Sequence, residues 1–402
     1  MPLTRTSSSA LRVAVLPDSF KGSATAEAVA RAMAEGARRA GTSAGIEVQT
    51  EALPFADGGE GTLDAICSAW GIRPQQVSTT DALGREIQAR YAVHSVEGTV
   101  TAVIEAAEAN GLPAVSDVPL QPLRATTYGV GALVSAAVEA GCEEVLLCIG
   151  GSATTDGGAG LLQALGVRLL DEAGQEIGAA EELGAGGGAL ADLARVDTQG
   201  VDPRVAGLRW RIACDVNNPL LGPQGAAAVF GPQKGAGPVE VEQLDAALGR
   251  FADVLAAESG RDIRDTPGTG AAGGLPAALV SLFDAEIAPG GELVAEVLGA
   301  REVLEQAELV LTGEGRLDSQ SLGGKVVDTV RRLTPEQTPV FVLAGSVEIS
   351  AEELDAAGLT AALSIARGPE TLEQLSAEAE DRISGAAEQL IRTYLSGRAA
   401  AG

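Results

Sequence analysis

The sequence predicts an α/β protein in which both chain ends build one doubly wound domain and a second α/β domain is inserted between them. Three observations predict it. Strand and helix patterns alternate from residue 12, the same rhythm returns in the last third of the chain, and between them residues 74–106 read as consecutive strands without helices. Alternation of β and α elements implies a parallel sheet covered by helices, whereas strands joined by turns imply an antiparallel meander.

The head opens with strand "RVAVLP" (12–17), a loop, and an amphipathic helix from about Thr25 to Ala40. A second unit follows, "IEVQTEALPFA" extended and "GTLDAICSAW" helical. The stretch "QQVSTTDALGREIQARYAVHSVEGTVTAVIEAA" supplies the three meander strands, which places a domain change near residues 74–80. Mixed α/β pattern then runs over residues 126–260: helix "ATTYGVGALVSAAVEAG", strand "EEVLLCIG", helix "GGAGLLQALG", a glycine-rich loop at 184–188, strand "RWRIACDV" and helix "VEVEQLDAALGRFADVLAAES". In the tail, "AELVLTGE", "TPVFVLAG" and "LTAALSIA" read as buried strands alternating with helices, the last being the long "TLEQLSAEAEDRISGAAEQLIRTYLSG". The expected division is a disordered leader at 1–10, one discontinuous domain from 11–75 and 286–397, and an inserted domain from 76–285.

Charge narrows the function. With 28 basic and 55 acidic residues in 402, a net charge of −27 opposes nucleic acid and anionic membrane as partners, because polyanion binding needs a basic field. Any anionic ligand must be held locally, by glycine amides, a helix N-terminus, a divalent cation or a few lysines. Cys67, Cys142, Cys148 and Cys214 form no CxxC pair, which predicts reduced buried thiols and a cytoplasmic protein. No apolar run approaches the ~20 residues of a membrane span. The single histidine, His94, lies in an alternating strand with no visible partner, so histidine-based triads and metal sites are excluded.

Only three of the 28 basic residues are lysines, and each touches a glycine: Lys21 in "SFKGS", Lys234 in "PQKGA" and Lys325 in "GGKVV". A compact ammonium beside bare amides suits a phosphate. Four loops share a second design, in which a strand ends, glycines admit a ligand and an acid lies among them. They are "PFADGGEG" (Asp57, Gly58, Gly59, Glu60), "IGGSATTDGG" (Gly150, Gly151, Ser152, Thr154, Asp156), "ACDVNNPLLG" (Asp215, Asn217) and "LTGEGRLDSQSLGGK" (Glu314, Asp318, Lys325). Ligands of open α/β sheets bind outside the carboxyl ends of the strands, where such loops fall. Phosphate plus metal is the chemistry implied, since amides and hydroxyls cradle phosphate while carboxylates hold magnesium or take a proton. Each loop taken alone also reads as an ordinary turn. "GTGAAG" (268–273) matches a dinucleotide fingerprint but follows a charged, proline-ended loop, so its glycines are expected to open the N-terminus of helix "LPAALVSLF". "SQSLGGKV" lacks the first glycine and the final hydroxyl of a P-loop.

The ordered set "PDSFKGS", "PFADGGEGT", "ATTYGVG", "GGSATTDGGAG", "CDVNNPL", "GPQKGA", "GAAGGL" and "LTGEGRLDSQSLGGK" resembles the bacterial glycerate kinase type-1 family over residues 12–395. The resemblance implies a flavodoxin-like domain built from both chain ends, a second domain inserted in it, and ATP-dependent phosphorylation of D-glycerate with magnesium. The 2-phosphoglycerate product is the chief expectation, with 3-phosphorylation or another small hydroxy acid as alternatives and a silent ligand sensor as the remote one. A monomer or homodimer acting on D-glycerate and ATP is expected. Chemistry then assigns candidates: Lys21, following Asp18 and Ser19, and Lys325 for the substrate carboxylate or transferring phosphoryl group, with Lys234 weaker. Asp57 and Asp156 are candidates for base and magnesium ligand, followed by Glu314 and by Asp215 and Asp318 as metal ligands. Gly150, Gly151, Ser152 and Thr154 form the expected phosphate cradle, with Gly58 and Gly59 beside them as further binding residues.

Overall fold

A computed structural model describes residues 10–178, 184–369 and 371–401, so all of the expected leader but Ala10 lies outside the described residues. The strands along the chain are β1 (Leu11–Val15), β2 (Val48–Ala52), β3 (Gln75–Thr80), β4 (Glu86–Val96), β5 (Thr99–Glu105), β6 (Glu144–Cys148) and β7 (Arg168–Leu170). They continue with β8 (Arg195–Asp197), β9 (Arg209–Ala213), β10 (Glu286–Ala288), β11 (Leu309–Leu317), β12 (Val340–Val347) and β13 (Ala361–Ser364). The chain divides into two compact units. One holds the residues up to Asp57, Asp64–Ile72 and those from Val294 onward; the other holds Gly58–Leu63 and Arg73–Leu293.

The first unit is a five-stranded parallel sheet in the order β13-β12-β11-β1-β2. Counted within the unit this is the order 2-1-3-4-5 of flavodoxin-like folds, whose ligand crevice lies where the order reverses, here between β1 and β11. Both chain ends therefore share one sheet, with Val13 opposite Leu309 and Val15 opposite Leu311. The helix Ala26–Ala44 starts where the Thr25 hydroxyl accepts the Ala28 N–H and stops at Gly45, whose φ of 68° is the left-handed stop. It thus runs a turn beyond the expected Ala40. Its buried Val29, Met33 and Ala37 pack with Ile383, Ala387 and Ile391 of the helix Ala379–Ala401. At Gly36 a Cβ would come within 2.1 Å of the Ser384 carbonyl, so glycine sets how closely these helices approach. Two tail expectations are corrected. β13 is half-exposed because it has a neighbour on one side only, and the long final helix is broken into Leu372–Ala377 and Ala379–Ala401.

The second unit carries a mixed six-stranded sheet, β10-β9-β6-β5-β4-β3. β3, β4 and β5 form the antiparallel meander, and β5, β6, β9 and β10 run parallel. A short ribbon pairs β7 with β8. The core joins Ile104, Leu147 and Ile212 of the sheet to Leu133, Leu248, Phe251 and Leu279 of the helices. Because β10 pairs with β9, residues 286–288 belong to this sheet, and the division falls after Leu293 and not before residue 286. Gly58–Leu63 also joins this unit, tied by the Leu63 N–H donating to the buried Glu105 carboxylate at 2.6 Å. All four cysteines are buried and outside any disulfide, and His94 sits in β4 opposite Thr101. Among the described residues no helix is long and apolar enough to cross a membrane.

Candidate active site

Each unit gathers candidate residues at the carboxyl ends of its parallel strands. In the first unit the backbone fixes the reversal point: the Asp18 N–H donates to the Gly313 carbonyl at 2.8 Å, and the Thr312 hydroxyl to the Leu16 carbonyl at 2.7 Å. The loop after β2 is tied to the same place by the Phe55 N–H donating to Pro17 O at 3.0 Å. Asp18, Asp57 and Glu314 thus belong to three neighbouring strand ends. Acids so placed interact. Burial pushes Asp18 up to about 6, the Asp57 charge pushes the same way, and the Ser19 N–H and Lys21 ammonium oppose them. Ser19 donates that N–H to Asp18 Oδ1 at 2.6 Å.

Glu314 is shifted in the same direction as Asp18. Only 8% of it is exposed, its Oε1 is buried without a hydrogen-bond partner, and burial raises its pKa to about 7 against the pull of Ser321 and Lys325. Lys21 is displayed on a tight turn, where Ser23 N–H donates to Phe20 O at 2.7 Å and Gly22 takes φ 75°. It is exposed and free to reach an anion. Lys325 occupies the N-cap of the helix Val326–Leu333. Asp318 has other work: its Oδ1 accepts the Gln320 N–H at 2.9 Å as the cap of the turn Ser319–Leu322, and Arg316 lies 3.4 Å from Oδ2. Its carboxylate thus caps that turn.

In the second unit, glycines let loops meet backbone to backbone. A Cβ on Gly150 would lie 3.0 Å from Gly59 Cα, and one on Gly58 would lie 2.6 Å from Ala213 Cβ. Gly58, Gly59, Gly150 and Gly151 therefore assemble at the ends of β6 and β9. Asp215 follows β9, exposed, with Oδ1 accepting the Gly290 N–H at 2.9 Å. Beneath this rim the loop turns inward. Asn110 donates to Thr154 Oγ1 at 3.1 Å and accepts the Ala153 N–H at 2.7 Å, while Lys234 donates to Ser152 Oγ at 3.0 Å and Thr154 O at 2.6 Å.

Asp156 is likewise internal. It is fully buried, with Oδ2 accepting from the Thr127 N–H and hydroxyl (both 2.7 Å) and the Gly160 N–H (3.3 Å), and Oδ1 from Gly158 N–H (3.2 Å). Burial raises its pKa against these bonds. A carboxylate so occupied organises the loop that carries it. Lys234, 2% exposed, is likewise turned inward. Asn110 and Thr127 are the residues that sequence reasoning missed. "ATTYGVG" contained Thr127, but an internal hydrogen bond leaves no spacing signal, and Asn110 sits in an unremarkable "EANG".

The geometry sets terms for a metal. Among the described residues no three His, Cys, Asp or Glu side chains are grouped to hold one. Magnesium held by one or two carboxylates plus phosphates and water is a coordination that needs no such group.

Comparison with known proteins agrees with this layout. The glycerate kinase family profile matches residues 13–395. The glycerate kinase of Bacillus subtilis is 40% identical over 384 residues, 95% of this chain and 96% of its own length. The glycerate 2-kinase of Escherichia coli is 39% identical over 393 residues, 98% of this chain and 100% of its own. A solved structure from Salmonella typhimurium LT2, assigned as glycerate kinase 2, superposes with a TM-score of 0.85 at 40% identity, covering 97% of this chain and 100% of that one. The chain belongs to the glycerate kinase family.

Proposed function

We propose that this protein transfers the γ-phosphoryl group of ATP to the 2-hydroxyl of D-glycerate, giving 2-phosphoglycerate and ADP. The observation that carries the chemistry is Glu314: a buried carboxylate at the reversal point of a parallel sheet, with one unpartnered oxygen and a pKa near 7. A general base works best with a pKa near the operating pH. In the proposed step the substrate hydroxyl oxygen bonds to the γ-phosphorus, the bond from phosphorus to the ADP oxygen breaks, and Glu314 takes the hydroxyl proton. Lys21 and Lys325 hold the glycerate carboxylate and the transferring phosphoryl oxygens, the groups whose charge a protein of net charge −27 must offset locally. Within the second unit, Gly150, Gly151 and the Ser152 hydroxyl form a proposed phosphate cradle. Asp57 is the carboxylate proposed to hold magnesium, which when bound neutralises phosphate charge.

The position of phosphorylation follows the Escherichia coli relative, a glycerate 2-kinase. The four reduced thiols favour the cytoplasm. The test is ADP release from Mg-ATP and D-glycerate, followed by enolase without phosphoglycerate mutase. Conversion by enolase is the expected outcome. Turnover without conversion would replace the 2-phospho product by the 3-phospho one, and no turnover would remove glycerate as the substrate.

A further inference from the structure

Lys234 is buried in the second unit, where an ammonium is expensive. A well-packed apolar side chain of similar length would fill the same space at lower cost. What the lysine provides is two directed bonds onto one loop, to Ser152 Oγ at 3.0 Å and Thr154 O at 2.6 Å, with the Asp156 charge acting on it. The same stretch is braced elsewhere by backbone. Gly157 N–H donates to Gly273 O at 3.0 Å, and a Cβ on Gly273 would lie 2.0 Å from Thr154 O. Gly273 closes "GTGAAG", so these glycines serve close packing against the Thr154–Gly157 stretch as well as leading into the next helix. Held on both sides, the loop ends in Gly150 and Gly151, the latter at φ 75°.

We propose that Lys234 is a positioning residue for phosphoryl transfer: it fixes the Ser152–Thr154 turn so that the Ser152 hydroxyl and the Gly150 and Gly151 amides are presented to the ATP phosphates, while touching neither substrate. The inference rests on the reading of that loop as the phosphate cradle.

Lys234→Met tests it, with Ser152→Ala, the double variant and Gly151→Ala alongside. The expected result for Lys234→Met is an unchanged far-UV spectrum and cooperative melting, an ATP KM raised at least about ten-fold and a D-glycerate KM within about two-fold of wild type. The double variant should be scarcely worse than Lys234→Met alone, because both changes cut the same bond. Unchanged kinetics with only a lowered melting temperature would overturn the proposal and leave Lys234 a strut. Should Lys234→Met fail to fold, Lys234→Leu, which keeps an apolar side chain and no donor, takes its place, and an unchanged ATP KM there overturns the proposal equally. Gly151→Ala separates the two ideas. If it leaves the ATP KM unchanged, the cradle reading fails and the inference with it; if it raises that KM while the Lys234 variants do not, only the positioning role fails.

Discussion

Glu314, inside β11, and Asp156, in the loop after β6, are two buried acids in glycine-rich stretches, and their neighbours assign them opposite work. Glu314 keeps an unpartnered oxygen, so Glu314→Gln should lower kcat by about 10²-fold or more and abolish the acid limb of the kcat/KM profile, which in wild type falls below about pH 7. A retained limb in the variant would disqualify Glu314 as base. The same group shapes stability. Its folded pKa is raised from 4.5 to about 7, so the fold binds its proton more tightly than the unfolded chain does. Stability from this group is full below pH 4.5 and is lost as pH rises to about 7, by roughly 1–2 kcal/mol after allowance for solvent screening. Urea unfolding at pH 5 and pH 8 should accordingly differ less in Glu314→Gln than in wild type. Asp156→Asn belongs to the other kind. It places an amide where the Thr127 and glycine donors need an acceptor, at a cost of about 2–4 kcal/mol, and lost activity should track lost stability. Lys21→Ala, at an exposed turn, should instead lose about 10²-fold in kcat/KM with an unchanged urea midpoint. The sequence showed that carboxylates gather in four glycine-rich stretches and that each lysine adjoins a glycine, but not which face inward, because burial is decided by partners such as Thr127 and Asn110 that lie 29 and 44 residues away from the groups they bind.

At the scale of elements, much of the architecture was legible, since period and punctuation are local. The head rhythm, the meander and the tail strands follow from alternation, although the helix stop at Gly45 lies a turn beyond the expected Ala40. What failed depended on non-local pairing. β10 is three residues long and reads as loop until β9 is seen beside it, which is why the expected boundary fell short of Leu293. β13 looked buried by composition, yet an edge position leaves it one neighbour. Helix against helix, the decisive element is Gly36, an unpromising residue mid-helix whose missing Cβ lets the Ser384 carbonyl approach. Gly36→Val should therefore force the helices Ala26–Ala44 and Ala379–Ala401 apart and lower stability by about 1–3 kcal/mol, despite valine's extra apolar surface. Denaturation showing equal or greater stability would mean that the helices slide without cost.

For the whole molecule, charge is the property that composition fixes and no single contact reveals. Pairing all 28 basic residues would still leave 27 acids unmatched. Ion pairs between exposed partners such as Arg261–Asp284 and Arg367–Asp381 each contribute little in water. Self-repulsion among the surplus acids acts over about a Debye length, ~10 Å at 0.1 M salt, and is relieved as that length shrinks. Salt also weakens the ion pairs, so the sign of its net effect shows which set dominates. With acids nearly twice as numerous as bases, repulsion should win, and raising sodium chloride from about 0.05 to about 0.5 M should lift the melting temperature by a few degrees. Choline chloride at equal ionic strength should do nearly the same, because screening depends on charge concentration and not on the cation's identity. A melting temperature that falls with salt would show that the ion pairs outweigh the surplus. A rise with sodium alone would point to site binding of that cation by acidic clusters in place of general screening.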